Sequence, residues 1–122
     1  MIASIDDLTA ALRRFAAERD WERYHSPKNL VMALNVEAAE LMEHFQWLTQ
    51  EESYLRSPAS REAVSEELAD VLIYLVRLAD RLDIDLLAAA ANKISKNARK
   101  YPAPADGSAA SGTADSQGGL EA

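Results

Sequence analysis

The stretches Glu37-Ala38-Ala39-Glu40 and Glu67-Leu68-Ala69-Asp70 decide how this chain is interpreted. Each stretch places two carboxylates three residues apart, in a segment whose apolar residues have helical spacing. Residues three apart lie on one face of a helix. If the two helices pack side by side, four carboxylates converge, and their mutual repulsion calls for a cation between them. The pattern therefore predicts two neighbouring helices that hold a metal ion.

The apolar spacing along the rest of the chain predicts an all-α, four-helix bundle without strands. The first helix is expected to begin after Ser4, and the others to run over about 27–48, 60–82 and 84–99, the last one capped by Asp83 or Asp85. The residues expected to be buried form one stripe on each of the last three helices. They are Leu30, Leu34, Leu41 and Leu48, then Val64, Leu68, Val71, Leu75, Leu78 and Leu82, and finally Leu87, Ala91, Ile94 and Ala98.

The C-terminal part of the chain differs in composition from the rest. All four glycines lie after Tyr101, and residues 102–122 contain a single leucine and no aromatic side chain. Such a segment cannot bury enough apolar area to offset the entropy lost on ordering. We therefore expect a folded domain over residues 1–101 and a disordered tail over 102–122. A folded part without glycine also favours helices, because the turns of a sheet usually need glycine.

Net charge and residue content exclude several classes of protein. The formal net charge is −7, which argues against binding to a nucleic-acid backbone. The absence of cysteine excludes disulfides and thiolate metal sites. No apolar run approaches the roughly 20 residues of a membrane span, and the N-terminus does not have the pattern of a signal peptide. The expectation is a cytoplasmic protein that binds neither membranes nor nucleic acids.

Carboxylate oxygens are hard ligands, which favours Mg²⁺ with Mn²⁺ as an alternative. A di-iron bundle would instead require Glu-x-x-His on two helices. Leu41 lies three residues before His44, and His25 lies in a segment bounded by Pro27, so the di-iron interpretation fails. Acid pairs three apart are also common on solvated helix faces. A non-catalytic helical module for oligomerisation or nucleotide sensing therefore remains an alternative.

Other side chains suit a phosphorylated ligand with an aromatic base. Trp21 and Trp47 lie near the ends of the acidic helices, where an indole ring could stack on a base. Lys93, Asn97 and the basic residues 99–100 form a polar line on the fourth helix. They could neutralise a polyphosphate, or they could simply be well placed at a helix C-terminus. No glycine-rich phosphate loop is present in the expected folded part, so phosphates would have to be held by metal and side chains.

Together these segments resemble a known family. The residues Phe15-Ala-Ala-Glu-Arg-Asp-Trp21, Phe45-Gln-Trp47, Glu66-Glu-Leu-Ala-Asp-Val-Leu-Ile-Tyr-Leu75 and Asn97-Ala-Arg-Lys-Tyr-Pro102, together with the acid stretch 37–40, carry the resemblance. The chain resembles the MazG-like all-α nucleotide pyrophosphohydrolases over about residues 10–102, with the strongest similarity to the dCTP pyrophosphatase branch.

The resemblance implies a homo-oligomeric enzyme, a dimer or a dimer of dimers. It would hydrolyse a nucleoside triphosphate, dCTP or a modified deoxynucleotide, to the monophosphate and pyrophosphate. The implied Mg²⁺ ligands and catalytic residues are Glu37, Glu40, Glu67 and Asp70; the implied substrate contacts are Trp21, Trp47, Tyr74, Lys93 and Asn97. One departure concerns specificity, because Leu12 stands where dCTP-preferring relatives carry a histidine near the substrate.

Overall fold

Four α-helices and two short 3-10 helices make up the regular structure in the computed structural model, which describes residues 1–105. The α-helices are α1 (Ile5–Glu18), α2 (Pro27–Glu43), α3 (Pro58–Arg81) and α4 (Leu86–Lys100). The 3-10 helices are Glu22–Tyr24 and Glu52–Tyr54. The described residues contain no strand, so the predicted all-α class is confirmed. Most of the segment expected to be a disordered tail, residues 106–122, lies outside the described residues.

A side-chain oxygen caps the N-terminus of every α-helix. Each cap accepts a hydrogen bond from the backbone N–H three residues later, at distances of 3.0 to 3.2 Å. The caps are Ser4, Ser26, Ser57 and Asp85. Proline follows the cap in α2 and α3, where its missing N–H costs nothing.

Three predicted helix boundaries are wrong by a few residues, among them the start of α4, which lies at Leu86 instead of about residue 84. Helix α3 begins at Pro58 instead of Ser60, because Ser57-Pro58 repeats the cap-and-proline arrangement of Ser26-Pro27. Helix α2 ends at Glu43 rather than near Leu48. Beyond it the backbone tightens, since the N–H of His44 bonds to the carbonyl three residues back instead of four.

The chain divides into two units, residues 1–84 and 85–122. In the first unit, α3 packs against both α2 and α1. Five apolar side chains are fully buried there: Ala16, Leu30, Val64, Val76 and Ala79. This is a small core for a chain of this length, so much apolar surface stays uncovered within a single chain.

The predicted stripe on α3 is correct at Val64 but wrong at Leu68, Leu75 and Leu82, which are 53%, 37% and 47% exposed. These three lie on a side of α3 that no described helix of the first unit covers. On α4 the predicted buried line is also wrong, because Leu87 and Ile94 are exposed. A single helix in the second unit cannot bury its own apolar side.

A network of ion pairs joins α1 to α3. The guanidinium of Arg13 on α1 donates two hydrogen bonds to the carboxylate of Asp80 on α3, one of them 2.9 Å from Nε to Oδ2. Arg77, one turn earlier on α3, donates to the same carboxylate at 3.3 Å. The side chain of Arg77 is only 4% exposed, and that of Asp80 is 11% exposed. The contact between these two helices is therefore partly ionic, and it pairs an exposed guanidinium on α1, that of Arg13, with a largely buried carboxylate on α3.

None of the helices in residues 1–105 is long and apolar enough to cross a bilayer.

Candidate metal centre and adjoining cavity

Three of the four predicted carboxylates meet between α2 and α3. Glu37 on α2 and Glu67 and Asp70 on α3 each offer one oxygen, and these three oxygens lie within 4.8 Å of one another. The cluster forms because α2 and α3 pack side by side and each presents an acidic turn to the other. The helix-face argument made from the i, i+3 spacing therefore holds for these three residues.

Electrostatic conditions in the cluster suit a cation. The pKa of Glu37 is raised to about 7, by burial first and then by the hydrogen bond with Glu40 and by the neighbouring carboxyl groups. One oxygen of Glu37 and one of Glu67, Oε2 in each case, are buried without a hydrogen-bond partner among the described residues. Buried carboxylate oxygens are costly unless they are compensated, and a divalent cation would compensate them.

The remaining predicted ligand, Glu40, lies one turn after Glu37 on α2. Its carboxylate interacts with that of Glu37, but it is not one of the three that lie within 4.8 Å of each other. His44 borders the cluster, with Nε2 4.0 Å from Oε1 of Glu67. The structure thus brings together three acids, with a fourth acid and one imidazole at the edge. All-oxygen donors of this kind fit Mg²⁺ or Mn²⁺.

A cavity of about 330 Å³ lies between α1, the first 3-10 helix and α3. Its walls are mainly apolar and aromatic, with an imidazole and a guanidinium among them. The side chains that define its character are Leu12, Phe15, Trp21, His25, Tyr74 and Arg77. Tyr74 follows Asp70 by one turn, about 6 Å along the axis of α3, so the cavity and the acid cluster share this helix.

The five predicted contact residues are divided between the two units of the chain. In the first unit, Trp21 and Tyr74 line this cavity, whereas Trp47 does not and is 85% exposed. Lys93 and Asn97 lie one turn apart on α4 in the second unit, with Lys93 exposed and Asn97 half-buried. The substrate-binding roles of all five residues remain predictions.

The sequence patterns did not identify two polar residues of the cavity. The sequence patterns exclude His25 as an iron ligand and predict no role for Arg77. A signal for Arg77 was present, because it is the single charged residue in the apolar run 71–79 of α3. A charge at such a position is costly unless it is paired, and here it is paired with Asp80.

Comparisons with known proteins agree on one family. The model of the MazG-like family matches residues 32–114, which contain both acid stretches. The chain is 49% identical to human dCTP pyrophosphatase 1 over 102 residues and 48% identical to the bovine protein over 101, covering 82% and 81% of this chain. It spans about 60% of the length of these relatives.

A crystal structure of a pyrophosphatase from Archaeoglobus fulgidus superposes with a TM-score of 0.77 at 40% identity. The superposition covers 84% of this chain and 96% of that one. The resemblance inferred from the acid stretches and the aromatic motifs is therefore confirmed. With its helices, acid cluster and sequence all in agreement, this chain belongs to the MazG-like family.

Proposed function

We propose that this protein hydrolyses a nucleoside triphosphate to the monophosphate and pyrophosphate. The observation that carries the proposal is the acid cluster, in which buried oxygens of Glu37 and Glu67 lack hydrogen-bond partners among the described residues. An aromatic cavity begins one turn further along α3, at Tyr74. The names of the relatives, dCTP pyrophosphatase and pyrophosphatase, support this reaction and favour dCTP as the substrate.

In this proposal Glu37, Glu67 and Asp70 hold Mg²⁺, and Glu40 completes the set. When bound, the ion neutralises phosphate charge and lowers the pKa of a coordinated water. The acids of this chain cannot bind a polyphosphate by themselves, since they repel it. Trp21 and Tyr74 form walls against which a base can stack. Attack of water on the α-phosphorus breaks its bond to the bridging oxygen and releases pyrophosphate, and a neighbouring carboxylate, Glu40, Glu43 or Glu66, orients the water.

A pyrophosphate-release assay over canonical and modified nucleoside triphosphates tests this function. We expect turnover with Mg²⁺ or Mn²⁺ and none with EDTA. We also expect Mg²⁺ plus a non-hydrolysable dCTP analogue to raise the melting temperature, because ligands that bind only the folded state stabilise it. Stabilisation without turnover would identify a nucleotide sensor. If neither stabilisation nor turnover is observed, the acid cluster is only a solvated face of a helical module.

The protein is further proposed to be a homo-oligomer, a dimer or a dimer of dimers. Large apolar side chains on α2 and α3 are exposed in the single chain, which is unusual for a monomer of this size. They are Val31, Met32, Val36 and Met42 on α2, and Leu68, Leu72 and Leu75 on α3. Light scattering at micromolar concentration should give at least twice the mass of one chain, and a monomer would contradict this part of the proposal.

A further inference from the structure

Two basic side chains of α3 hold His25 at the wall of the cavity. Nε of Arg77 donates a hydrogen bond to Nδ1 of His25 at 3.2 Å, and Nε of Arg81 donates to the backbone carbonyl of His25 at 3.1 Å. The ring also lies beside Trp21, with 6.2 Å between the ring centroids. The imidazole is thus attached to α3 through both its ring and its backbone.

These contacts determine which nitrogen of His25 carries a hydrogen. Arg77 can only donate, so Nδ1 must accept, and a neutral imidazole then has its proton on Nε2. Burial first, and then the charges of Arg77 and Arg81, lower the pKa of His25, which keeps the ring neutral at pH 7. No described residue forms a hydrogen bond with Nε2. The cavity wall therefore contains a hydrogen-bond donor, Nε2–H of His25, because the imidazole is held in one tautomer.

Arg77 is itself firmly held and serves as the support of this donor. It is 3% exposed and donates to Asp80, and its Nη2 lies 3.8 Å from Oε1 of Glu22. Nη2 is buried without a hydrogen-bond partner among the described residues. Leu12, on the α1 wall, offers no polar atom. Trp21, Tyr74 and Arg77 also carry donors in the lining, but His25 is the residue whose ring nitrogen is held by a hydrogen bond from a buried guanidinium.

We propose that His25, positioned by Arg77, makes this protein select cytosine over uracil by donating from Nε2–H to N3 of the base. The inference rests on the proposed function and adds the residue that reads the base. N3 of cytosine is an acceptor, whereas N3 of uracil carries a hydrogen. A fixed donor therefore pairs with cytosine and faces another donor in uracil. Arg77 acts as a positioning residue.

The test compares kcat/KM for dCTP and dUTP. The unmodified protein should prefer dCTP by about tenfold or more, as expected for one hydrogen bond that the wrong base leaves unmade. His25→Phe keeps a ring but removes the donor, and should bring the ratio close to one. His25→Gln places an amide donor near the former Nε2 and should retain most of the preference. Tyr24→Phe, at the residue before His25 but outside the cavity lining, is the matched control and should leave the ratio unchanged.

A second measurement reports on the positioning by Arg77 without relying on turnover. The chain has two histidines, so ¹⁵N chemical shifts of the imidazoles can be assigned with His25→Phe as reference. We expect the Nε2–H tautomer for His25, and a mixture of tautomers in Arg77→Met. A dCTP preference that survives in His25→Phe, or an Nδ1–H tautomer, would overturn the inference while leaving the hydrolase proposal intact. Absence of turnover for every nucleotide would overturn the proposed function instead.

Discussion

Replacing Glu67 by glutamine is expected to lower pyrophosphate release about a hundredfold or more while leaving the fold intact. The substitution removes one of the three carboxylates that lie within 4.8 Å of each other. A bound metal ion lowers the activation free energy of such a reaction by several kcal/mol, and each 1.36 kcal/mol corresponds to a factor of about ten in rate. Glu40→Gln is also expected to abolish turnover, since Glu40 completes the proposed ligand set.

Without metal, the Glu67→Gln protein should be more stable than the unmodified protein. The pKa of Glu37 is raised to about 7 from an ordinary value of 4.5, by burial first and by neighbouring carboxyl groups second. The folded state therefore binds more protons than the unfolded state in this interval, and stability falls as pH rises from about 4.5 to 7. Removing the charge of Glu67 relieves part of the repulsion, so the fall should become smaller.

Thermal unfolding with EDTA, between pH 4.5 and 8, measures this second effect, and the pyrophosphate assay measures the first. Glu62→Gln is the matched control, because Glu62 is an exposed glutamate on the same helix outside the cluster. A Glu67→Gln variant with nearly full activity would show that the metal ligands are wrongly assigned. A variant that unfolds more readily without metal would show that Glu67 has a structural role instead.

Replacing Asp80 by alanine is expected to cost about 3–5 kcal/mol of unfolding free energy, the range found when one partner of a buried ion pair is removed. The side chain of Arg77 is 4% exposed and would keep its charge without its carboxylate partner. Arg13 is 62% exposed, so the loss of its interaction with Asp80 should cost less free energy, because water can solvate the guanidinium. The loss should therefore come mainly from Arg77 and from the weakened contact between α1 and α3.

Urea unfolding at fixed protein concentration measures this loss, since any oligomer makes stability concentration-dependent. The matched control is Glu51→Ala, which breaks the exposed pair between Arg56 and Glu51 and should cost less than about 1 kcal/mol. The hydrogen bond from Arg13 is the main cause that lowers the pKa of Asp80. The contribution of Asp80 to the free energy of unfolding is thus complete at neutral pH. It disappears as the pH falls below 3.8, the ordinary pKa of an aspartate, and on through the lowered pKa of Asp80. Equal losses in the two variants would contradict a buried role for this network.

Local signals in the sequence predicted the helices well, because capping acts within one turn of the chain. Ser4 caps α1 as predicted, and Asp85, one of the two predicted candidates, caps α4. Helix α3 begins at Pro58 instead of Ser60, although the same pair of residue types, serine and proline, begins α2. Proline occupies the first turn of both helices, where its missing N–H is harmless.

The acid cluster could be predicted for a different reason. Two acid pairs with i, i+3 spacing must each lie on one helix face, and helices that follow one another along the chain tend to be neighbours. Glu37, Glu67 and Asp70 meet as this argument requires. What spacing could not decide was whether Glu40 would be as close as the other three, because side-chain reach depends on how the two helices are rotated.

The sequence by itself therefore determined the helical class, the starts of α1 and α2 and the pairing of acidic faces, all of which follow from periodicity and short-range hydrogen bonds. The tertiary structure decided which sides of α3 are covered: Leu68 and Leu75 are exposed, while Arg77 in the same helix is buried beside His25. Burial is a property of the neighbour that covers a side chain and not of the side chain alone. The cavity and its polar wall could be seen only after α1, the first 3-10 helix and α3 were brought together.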